Sequence, residues 1–218
     1  FSVCTNPYMP PPGTKERISS TRIDQYPDCQ STALRQALSR KLTLPAENII
    51  VGSGTTELIR LIAQVYFRRG RRILIIEPTY GEYEMAARLA GCRVLKYRTR
   101  RLHNFKPDIA ELTGLITKHR PWAVFLCNPN NPTGIYLARK DVTAILCSLA
   151  DGLLILDEAY VSFVRESWGS LDLLGQGNVI LLRSMTKDYG IPGLRLGYCL
   201  ASTEIVRSLN AVLPPWNV

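Results

Sequence analysis

The residue in this sequence with the clearest chemical potential is Lys187, which lies in the stretch RSMTKDYGIPGLRLGY from Arg183 to Tyr198. The apolar segment VILLR leads directly into this stretch, so the lysine is expected where a buried strand gives way to a loop rich in Gly and Pro. A lysine positioned in this way can form a Schiff base when desolvation or nearby positive charge lowers its pKa. A surface lysine in a turn would have the same local sequence, so the other strand ends must distinguish the two interpretations.

Polar residues follow three other predicted strands in a similar way. Tyr80 lies in EPTYGEY, Asn131 in NPNNPTG and Asp157 in DEAY, directly after the apolar run LLIL. Each residue has a structural alternative, since Tyr80 could pack in the core, Asn131 could close a turn and Asp157 could cap a helix. A buried carboxylate is costly, however, unless it is paired with a cation or accepts hydrogen bonds.

A fourth segment, GSGTTELIRLIAQVYF, predicts a glycine-bearing turn that opens a helix after a short strand, Ile49 to Val51. Exposed amides at such a helix start can bind phosphate. Glu57 stands where the dinucleotide-binding motif needs its third glycine, and the P-loop lysine is missing, so neither motif matches. A carboxylate, an amide, a phenol, a lysine and a phosphate seat at one sheet edge together predict a ligand that is anionic at one end and cationic at the other.

The elements that must position these residues alternate along the chain. The further predicted strands are Ile73 to Ile76, Arg93 to Tyr97, Ala123 to Cys127, Leu153 to Leu156 and Val179 to Leu182. The predicted helices include Ser31 to Leu42, with Ser31 or Thr32 as its cap, Tyr83 to Leu89 and Arg139 to Ala150. This rhythm predicts an α/β fold with a mostly parallel central sheet and helices on both faces. Ligands of such sheets bind beyond the carboxyl ends of the strands.

The motifs NPNNPTG, DEAY and SMTKDYGIPGLRLGY in combination resemble the class I/II aminotransferases of pyridoxal phosphate (PLP) fold type I. The resemblance covers the whole chain and implies PLP as the cofactor, in an aldimine with Lys187. It also implies that Asp157 keeps the pyridine nitrogen protonated, and that Asn131 and Tyr160 donate to the phenolate oxygen of the ring. Tyr80 matches the aromatic residue that stacks on the ring. Lys187, Asp157 and Tyr160 are therefore the expected catalytic residues.

The resemblance further implies a cup for the phosphate group of PLP. The residues that match this cup are Gly54, Thr55, Thr56, Ser184, Thr186 and Arg195. Tyr26, in QYPDCQ, matches a tyrosine that reaches the phosphate bound to the neighbouring subunit, so a homodimer with shared active sites is expected. One departure is Asp188, which stands where relatives usually carry an apolar or small residue. Its carboxylate would raise the lysine pKa if the two side chains faced the same way.

Two parts of the chain are expected to differ in structure. Residues 1–30 are predicted to be an extended N-terminal segment and arm, and residues 31–218 to be the PLP-binding large domain. Relatives continue past PPWNV into a small C-terminal domain that supplies an arginine for the substrate carboxylate. We therefore expect a longer natural protein, with the small domain missing from this chain.

The motifs resemble most closely the branch that contains histidinol-phosphate aminotransferase and threonine-phosphate decarboxylase. QYPDCQ and DEAY suit both enzymes, whereas RSMTKDYGIPGLRLGY and PPWNV favour the decarboxylase. The function expected first is that of a PLP-dependent aminotransferase acting on an amino acid or a phosphorylated derivative of one. Decarboxylation of threonine phosphate and a truncated, non-catalytic PLP-binding fragment are the alternatives.

Composition limits the other classes of function. The chain has 218 residues, 46% hydrophobic and 21% charged, which is ordinary for a soluble α/β protein. It contains no apolar run of membrane-spanning length, and no signal peptide is expected. The net charge is +9, but the arginine clusters lack interleaved aromatic residues, so a solvated rim is favoured over nucleic-acid binding. These clusters are Arg68, Arg69, Arg71 and Arg72, and Arg98, Arg100 and Arg101.

The cysteines and histidines bear on compartment and metal binding. Six scattered cysteines without a CxxC pair predict buried thiols in a reducing cytoplasm rather than disulfides or a metal site. With two histidines in the chain, a histidine-based metal centre is not expected. The sequence therefore predicts a cytoplasmic enzyme with a small-molecule substrate and no metal.

Overall fold

The structure is a computed structural model that describes residues 4, 6–8 and 10–218. Residues 1–3, 5 and 9 of the predicted N-terminal segment lie outside the described residues. Seven strands form one sheet, in the order β1-β7-β6-β5-β4-β2-β3. The strands are β1 Ile49–Ser53, β2 Arg72–Glu77, β3 Arg93–Arg98, β4 Ala123–Cys127, β5 Leu153–Asp157, β6 Val179–Ser184 and β7 Leu196–Leu200.

The direction of the strands decides which residues meet at one edge of the sheet. Strands β2 to β6 are parallel to one another, and β7 is antiparallel to both of its neighbours, β6 and β1. The carboxyl ends of β1, β4, β5 and β6 therefore share one edge. Because β7 runs the other way, it is the residue before its start, Arg195, that lies at this same edge. The predicted mostly parallel sheet is confirmed.

Helices cover both faces of the sheet, as the strand and helix rhythm predicts. The helices are α1 Thr14–Ser19, α2 Thr32–Leu42, α3 Gly54–Tyr66, α4 Glu82–Leu89, α5 Ile109–His119, α6 Arg139–Ser148, α7 Met185–Asp188 and α8 Thr203–Asn210. Successive residues of a strand point to opposite faces, so Ile155 of β5 joins one core while Leu154 and Leu156 join the other. Helices α3, α4 and α8 pack on the first core, and α2, α5 and α6 on the second.

Several local elements differ from the sequence-based expectations. Helix α1 lies within the N-terminal segment predicted to be extended, in a stretch that contains no proline. Lys187 lies in the single helical turn α7 rather than in a loop, because no glycine or proline interrupts the chain before Gly190. Strand β7 was not predicted. Ser31 precedes α2 without accepting a capping hydrogen bond, and the Asp28 carboxylate instead accepts from two backbone amides there, at 2.7 and 2.9 Å.

The two outer strands of the sheet are protected differently. On β1, the Arg35 guanidinium donates to the carbonyl of Ile49 at 3.0 Å, and the Asn217 side-chain amide donates to that of Val51 at 3.3 Å. The other outer strand, β3, pairs with β2 alone among the described strands. Its exposed side chains are the charged residues Arg93, Lys96 and Arg98.

The cysteines are less buried than the sequence predicts. All six are free thiols, but Cys127 and Cys199 alone are buried, while Cys4, Cys29 and Cys147 are exposed. Apolar sequence neighbours do not bury a residue that faces outward from a helix or loop. Among the described residues, no cluster of three or more metal-ligating side chains is present, and no helix has the length and apolar character to cross a membrane.

Candidate cofactor-binding pocket

A cavity of about 290 Å³ lies at the edge of the sheet where the parallel strands end. All the site residues predicted from the sequence line this cavity except Tyr26. They are Gly54, Thr55, Thr56, Tyr80, Asn131, Asp157, Tyr160, Ser184, Thr186, Lys187 and Arg195. Residues up to 141 positions apart in the sequence, from Gly54 to Arg195, thus share one concave surface. The parallel strands explain this convergence, since each delivers its following loop to the same edge.

Asp157 ends β5 and is 3% exposed. Its carboxylate accepts hydrogen bonds from the Tyr83 hydroxyl at 2.7 Å and from the Ala159 amide at 3.0 Å. Burial raises the pKa of Asp157 to about 6, while these two hydrogen bonds oppose the rise. The carboxylate forms no ion pair with any residue that the structure describes. A buried carboxylate in this position is suited to bind the cationic part of a ligand.

Lys187 projects from α7 into the cavity, beside Tyr160 and Cys4. Its Nζ donates a hydrogen bond to the Cys4 carbonyl and lies 5.8 Å from the centre of the Tyr160 ring. Burial, with a smaller effect of the adjacent Cys4 thiol, raises the pKa of Tyr160 above its ordinary value. The phenol therefore stays protonated at neutral pH and can donate a hydrogen bond to an anionic oxygen.

The Asp188 carboxyl interacts with residues other than the adjacent Lys187. Burial raises the pKa of Asp188, and the Ser162 hydroxyl opposes this rise. The positive charges of Lys41 and Arg183 lower the pKa of Asp188. Adjacent residues on a helical turn point in different directions, so Asp188 has a different set of partners from Lys187.

One end of the cavity is built from the first turn of α3 and from Arg195. Gly54 has φ +75°, a left-handed conformation that favours glycine, and a Cβ there would lie 2.7 Å from the Arg195 guanidinium. The glycine therefore lets the guanidinium lie against the free amides at the start of α3. Gly197 of β7 serves the same turn, since a Cβ on Gly197 would lie 2.8 Å from the Thr55 amide nitrogen.

Hydroxyl groups complete this end of the cavity. The Ser184 and Thr186 hydroxyls are buried and 2.7 Å apart, and those of Thr56 and Tyr80 are 3.1 Å apart. Arg195 forms no ion pair with a described residue. Free amides at a helix start, hydroxyls and an unpaired guanidinium are the donors that a phosphate dianion requires. The cavity thus presents donors for an anion and, on Asp157, an acceptor for a cation.

Tyr26 lies apart from the cavity of its own chain. Its side chain is 80% exposed and stacks on Trp216, with ring centres 4.6 Å apart and an angle of 29° between the planes. The two aromatic rings form an exposed pair on the surface, and Tyr26 does not line the pocket that its own chain forms.

The structure adds four residues to the cavity wall that sequence reasoning missed. They are Cys4, Tyr83, Cys127 and Ala159. Tyr83 is fully buried, stacks on Phe125 and donates to Asp157. Cys127 is the last residue of β4 and pairs in register with Asp157, so its position before NPNNPTG could have indicated it. Burial raises its pKa to about 12, which keeps the thiol neutral.

A largely buried ion pair lies next to the cavity wall. Arg183 Nη2 lies 3.0 Å from the Glu158 carboxylate, which also accepts a hydrogen bond from Ser170 at 2.9 Å. Glu158 directly follows Asp157, and Arg183 directly precedes Ser184, so the pair ties together the ends of β5 and β6. The sequence offered no signal for this pair.

Comparison with known proteins agrees with the chemistry of this cavity. The family model for aminotransferase class I and II matches residues 3–218. The chain belongs to this aminotransferase family. The family and the fold class predicted from the sequence motifs are thereby confirmed.

Two related proteins show how much of an aminotransferase the chain represents. Histidinol-phosphate aminotransferase from Moorella thermoacetica is 40% identical over 220 residues, covering 98% of this chain and 56% of the relative. The crystal structure of histidinol-phosphate aminotransferase from Sinorhizobium meliloti in complex with pyridoxal-5'-phosphate has a TM-score of 0.90 and 25% identity. The matched region covers 98% of this chain and 59% of the Sinorhizobium chain. The chain thus spans little more than half the length of these aminotransferases.

A structure with another activity is also similar. L-threonine-O-3-phosphate decarboxylase from Porphyromonas gingivalis has a TM-score of 0.75 and 32% identity, over 90% of this chain and 57% of that chain. Both members of the predicted branch therefore occur among the proteins similar to this chain.

Proposed function

We propose that this chain is the cofactor-binding part of a PLP-dependent aminotransferase that acts on a phosphorylated amino-acid derivative such as histidinol phosphate. One observation carries the proposal: a lysine, a buried carboxylate without a cation, and a set of phosphate-binding donors line a single cavity. The similarity to the Moorella histidinol-phosphate aminotransferase supports the choice of reaction and substrate class.

The residues present fit PLP. The donors of Gly54, Thr55, Thr56, Ser184, Thr186 and Arg195 would hold its phosphate group. Asp157 would accept a hydrogen bond from the protonated pyridine nitrogen, and a cation there lowers the carboxyl pKa from about 6. Asn131 and Tyr160 would donate to the ring oxygen, and Tyr80 would cover one face of the ring.

When bound, PLP supplies an electron sink that stabilises negative charge at the α-carbon of the substrate. Lys187 would hold the cofactor covalently through Nζ until an amino substrate displaces it. The Nζ of Lys187 would then be placed to remove a proton from the α-carbon of the substrate and to return it at another atom. Asp157 would favour the protonated form of the ring nitrogen, and the phosphate donors would hold the cofactor in one orientation.

The proposal includes a homodimer with shared active sites in a reducing cytoplasm. The exposed Tyr26, which stacks on Trp216 outside its own cavity, supports a contact with the phosphate group in a second copy. Six free thiols support a reducing compartment. Sedimentation of the full-length protein tests the dimer, and a monomer at micromolar concentration would refute this part.

Decarboxylation of threonine phosphate is the second candidate, favoured by the similarity to the Porphyromonas enzyme. The residues of the cavity would suit both reactions, because in both the substrate amine would take the place of Lys187 on the cofactor. The reactions differ in the bond of the α-carbon that is held perpendicular to the ring, and groups that orient the substrate decide which bond that is.

Covalent trapping tests the cofactor site. Full-length protein is incubated with PLP, reduced with borohydride, digested and analysed by mass spectrometry. We expect a pyridoxyl adduct on Lys187 in the wild type, and no adduct in Lys187→Ala. Lys41→Ala is the matched control, since Lys41 donates to Tyr189 outside the cavity and its loss should leave the adduct unchanged. An adduct that persists at another lysine in Lys187→Ala would refute the assignment.

Turnover then separates the two reactions. The protein is supplied with histidinol phosphate and a 2-keto acid, or with threonine phosphate alone. Amino transfer in the first assay supports the aminotransferase, and carbon dioxide release in the second supports the decarboxylase. Covalent PLP without turnover in either assay would refute both activities and leave a non-catalytic PLP-binding protein.

A further inference from the structure

The start of α3, which forms part of the phosphate end of the cavity, is tied to the last residues of the chain. Glu57 lies in the first turn of α3, and its Oε2 accepts a hydrogen bond from the Ser53 backbone amide at 2.6 Å. The same oxygen accepts a second hydrogen bond, at 2.8 Å, from the side-chain amide of Asn217. That amide nitrogen also donates to the Val51 carbonyl at 3.3 Å, so both of its hydrogens are used.

These bonds surround the turn between β1 and α3. Val51 and Ser53 belong to β1, and Gly54 begins the helix. Asn217 is half-buried although Pro214, Pro215 and Trp216 before it are exposed, and its side-chain amide contacts both β1 and α3. A single amide group therefore joins the strand, the turn and the helix that together present the phosphate-binding amides.

The position of the Glu57 carboxylate matters for anion binding at the start of α3. A carboxylate in the first turn of a helix is favoured by the helix dipole, but it repels a phosphate dianion bound at the same helix start. Glu57 does not line the cavity, and a Cβ on Gly52 would lie 3.1 Å from its Oε2. Its carboxylate is thus held against β1, on the side of the turn away from the ligand.

We propose that Asn217 is a positioning residue for the phosphate group of the cofactor, acting through Glu57 and the β1–α3 turn. The inference rests on the proposed PLP function. Asn217 fixes the direction in which the amides of Gly54, Thr55 and Thr56 point, and it holds the Glu57 carboxylate away from the bound dianion.

The test compares PLP with pyridoxal, which lacks the phosphate group. Dissociation constants of both compounds are measured for the full-length protein by equilibrium dialysis, and the ratio of the two reports the contribution of the phosphate. In Asn217→Ala we expect this ratio to fall about tenfold, mainly through weaker PLP binding, as the loss of a hydrogen bond to a charged group predicts. A general loss of structure would weaken the binding of both compounds alike and leave the ratio of their dissociation constants unchanged.

Two further variants sharpen the test. Glu57→Gln retains an acceptor oxygen for both donors, so its ratio should stay at or above that of the wild type. Asn178→Ala is the matched control, because Asn178 is also half-buried and its side-chain amide also donates to backbone carbonyls, those of Ala150 and Gly152, outside the cavity. Its ratio should equal the wild-type value. An unchanged ratio in Asn217→Ala, or a fall in Glu57→Gln as large as in Asn217→Ala, would overturn the proposal.

Amide hydrogen exchange of the cofactor-free protein gives a second measurement that does not depend on affinity. Exchange at Thr55 and Thr56 should be faster in Asn217→Ala than in Asn178→Ala, and equal rates would count against the proposal. If Asn217→Ala does not fold, Asn217→Ser replaces it in both measurements. Should the wild type fail to attach PLP at Lys187, the proposed function falls, while hydrogen exchange still tests the role of Asn217 in the turn.

Discussion

Asp157 and Glu158 are neighbours in the sequence and equally buried, yet their surroundings differ. Both are 3% exposed, and burial raises the pKa of each carboxyl group. Glu158 is paired with Arg183 and accepts a hydrogen bond from Ser170. Asp157 receives hydrogen bonds from a phenol and a backbone amide, with no cation among the described residues. The difference separates a carboxylate that holds the fold together from one that is left for a ligand.

The end of β5 explains how adjacent residues come to have such different partners. Successive side chains of an extended chain point to opposite sides. Asp157 faces the cavity beside Cys127, whereas Glu158 faces the segment that contains Ser170 and the end of β6. The backbone is held in place because the Glu158 amide donates to the Leu182 carbonyl at 2.8 Å.

Breaking the ion pair should give the largest effect on stability. Arg183→Met leaves Glu158 buried without a cation, and we expect the free energy of unfolding to fall by about 3–5 kcal/mol. Urea denaturation of the cofactor-free protein measures this change. The double variant Glu158→Leu with Arg183→Met removes both charges and should recover most of the loss. A decrease below about 1 kcal/mol in the single variant would contradict a structural role for the pair.

The pH dependence of stability tests the other carboxylate. Asp157 has a pKa of about 6 in the folded chain against an ordinary value of 3.8. Between these values the folded chain keeps a proton that the unfolded chain loses, so the stability of the cofactor-free protein falls as the pH rises through this interval. Across the whole interval the fall amounts to about 3 kcal/mol.

Asp157→Asn cannot ionise and should lack this contribution. The unfolding free energy of the variant minus that of the wild type should therefore increase by about 3 kcal/mol between pH 3.5 and pH 7. Other titrating groups contribute equally to both proteins and cancel in this difference. A difference between the two proteins that is the same at both pH values would contradict the burial of an unpaired carboxylate.

A smaller effect is expected from the phenol that supports Asp157. Tyr83→Phe removes the hydrogen bond to Oδ2, so the Asp157 pKa should rise above about 6, and stability at pH 7 should fall by about 1–3 kcal/mol. Carboxyl NMR titration of the cofactor-free protein measures the pKa. Tyr97→Phe is the control, because it removes a phenol–carboxylate bond to Glu111 outside the cavity. An Asp157 pKa that does not move in Tyr83→Phe would show that the phenol is not its main donor.

Several residues of the cavity wall could be predicted from their positions directly after apolar strands in the sequence. Asp157, Asn131 and Lys187 each follow an apolar strand, and parallel strands bring such positions to one edge. The apolar runs also located six of the seven strands to within two residues at each end, and missed β7. Roles such as that of Arg195, by contrast, came from the family resemblance. Its place in the cavity depends on the reversed strand β7, whose short sequence LGYCL contains a glycine and carries a weak strand signal.

Other features depend on contacts between distant parts of the chain. Tyr83 donates to a residue 74 positions away, and nothing near it in the sequence specifies that partner. The same is true of Arg183 with Glu158 and of Asn217 with Glu57, 160 positions apart. Each pair forms because two elements pack side by side, which local patterns do not encode. The exposure of Cys4, Cys29 and Cys147 was likewise decided by packing rather than by sequence neighbours.

The two edges of the sheet determine how the protein avoids joining with other copies through its strands. An unpaired edge strand can recruit another strand and start aggregation. On β1, Arg35 and Asn217 already occupy the carbonyls of Ile49 and Val51, so an incoming strand would have to displace two side-chain donors. On β3, a like-charged copy would bring Arg93 and Arg98 against a second set of cations. We therefore expect the charged side chains of β3 to oppose its pairing with the same strand of a second copy.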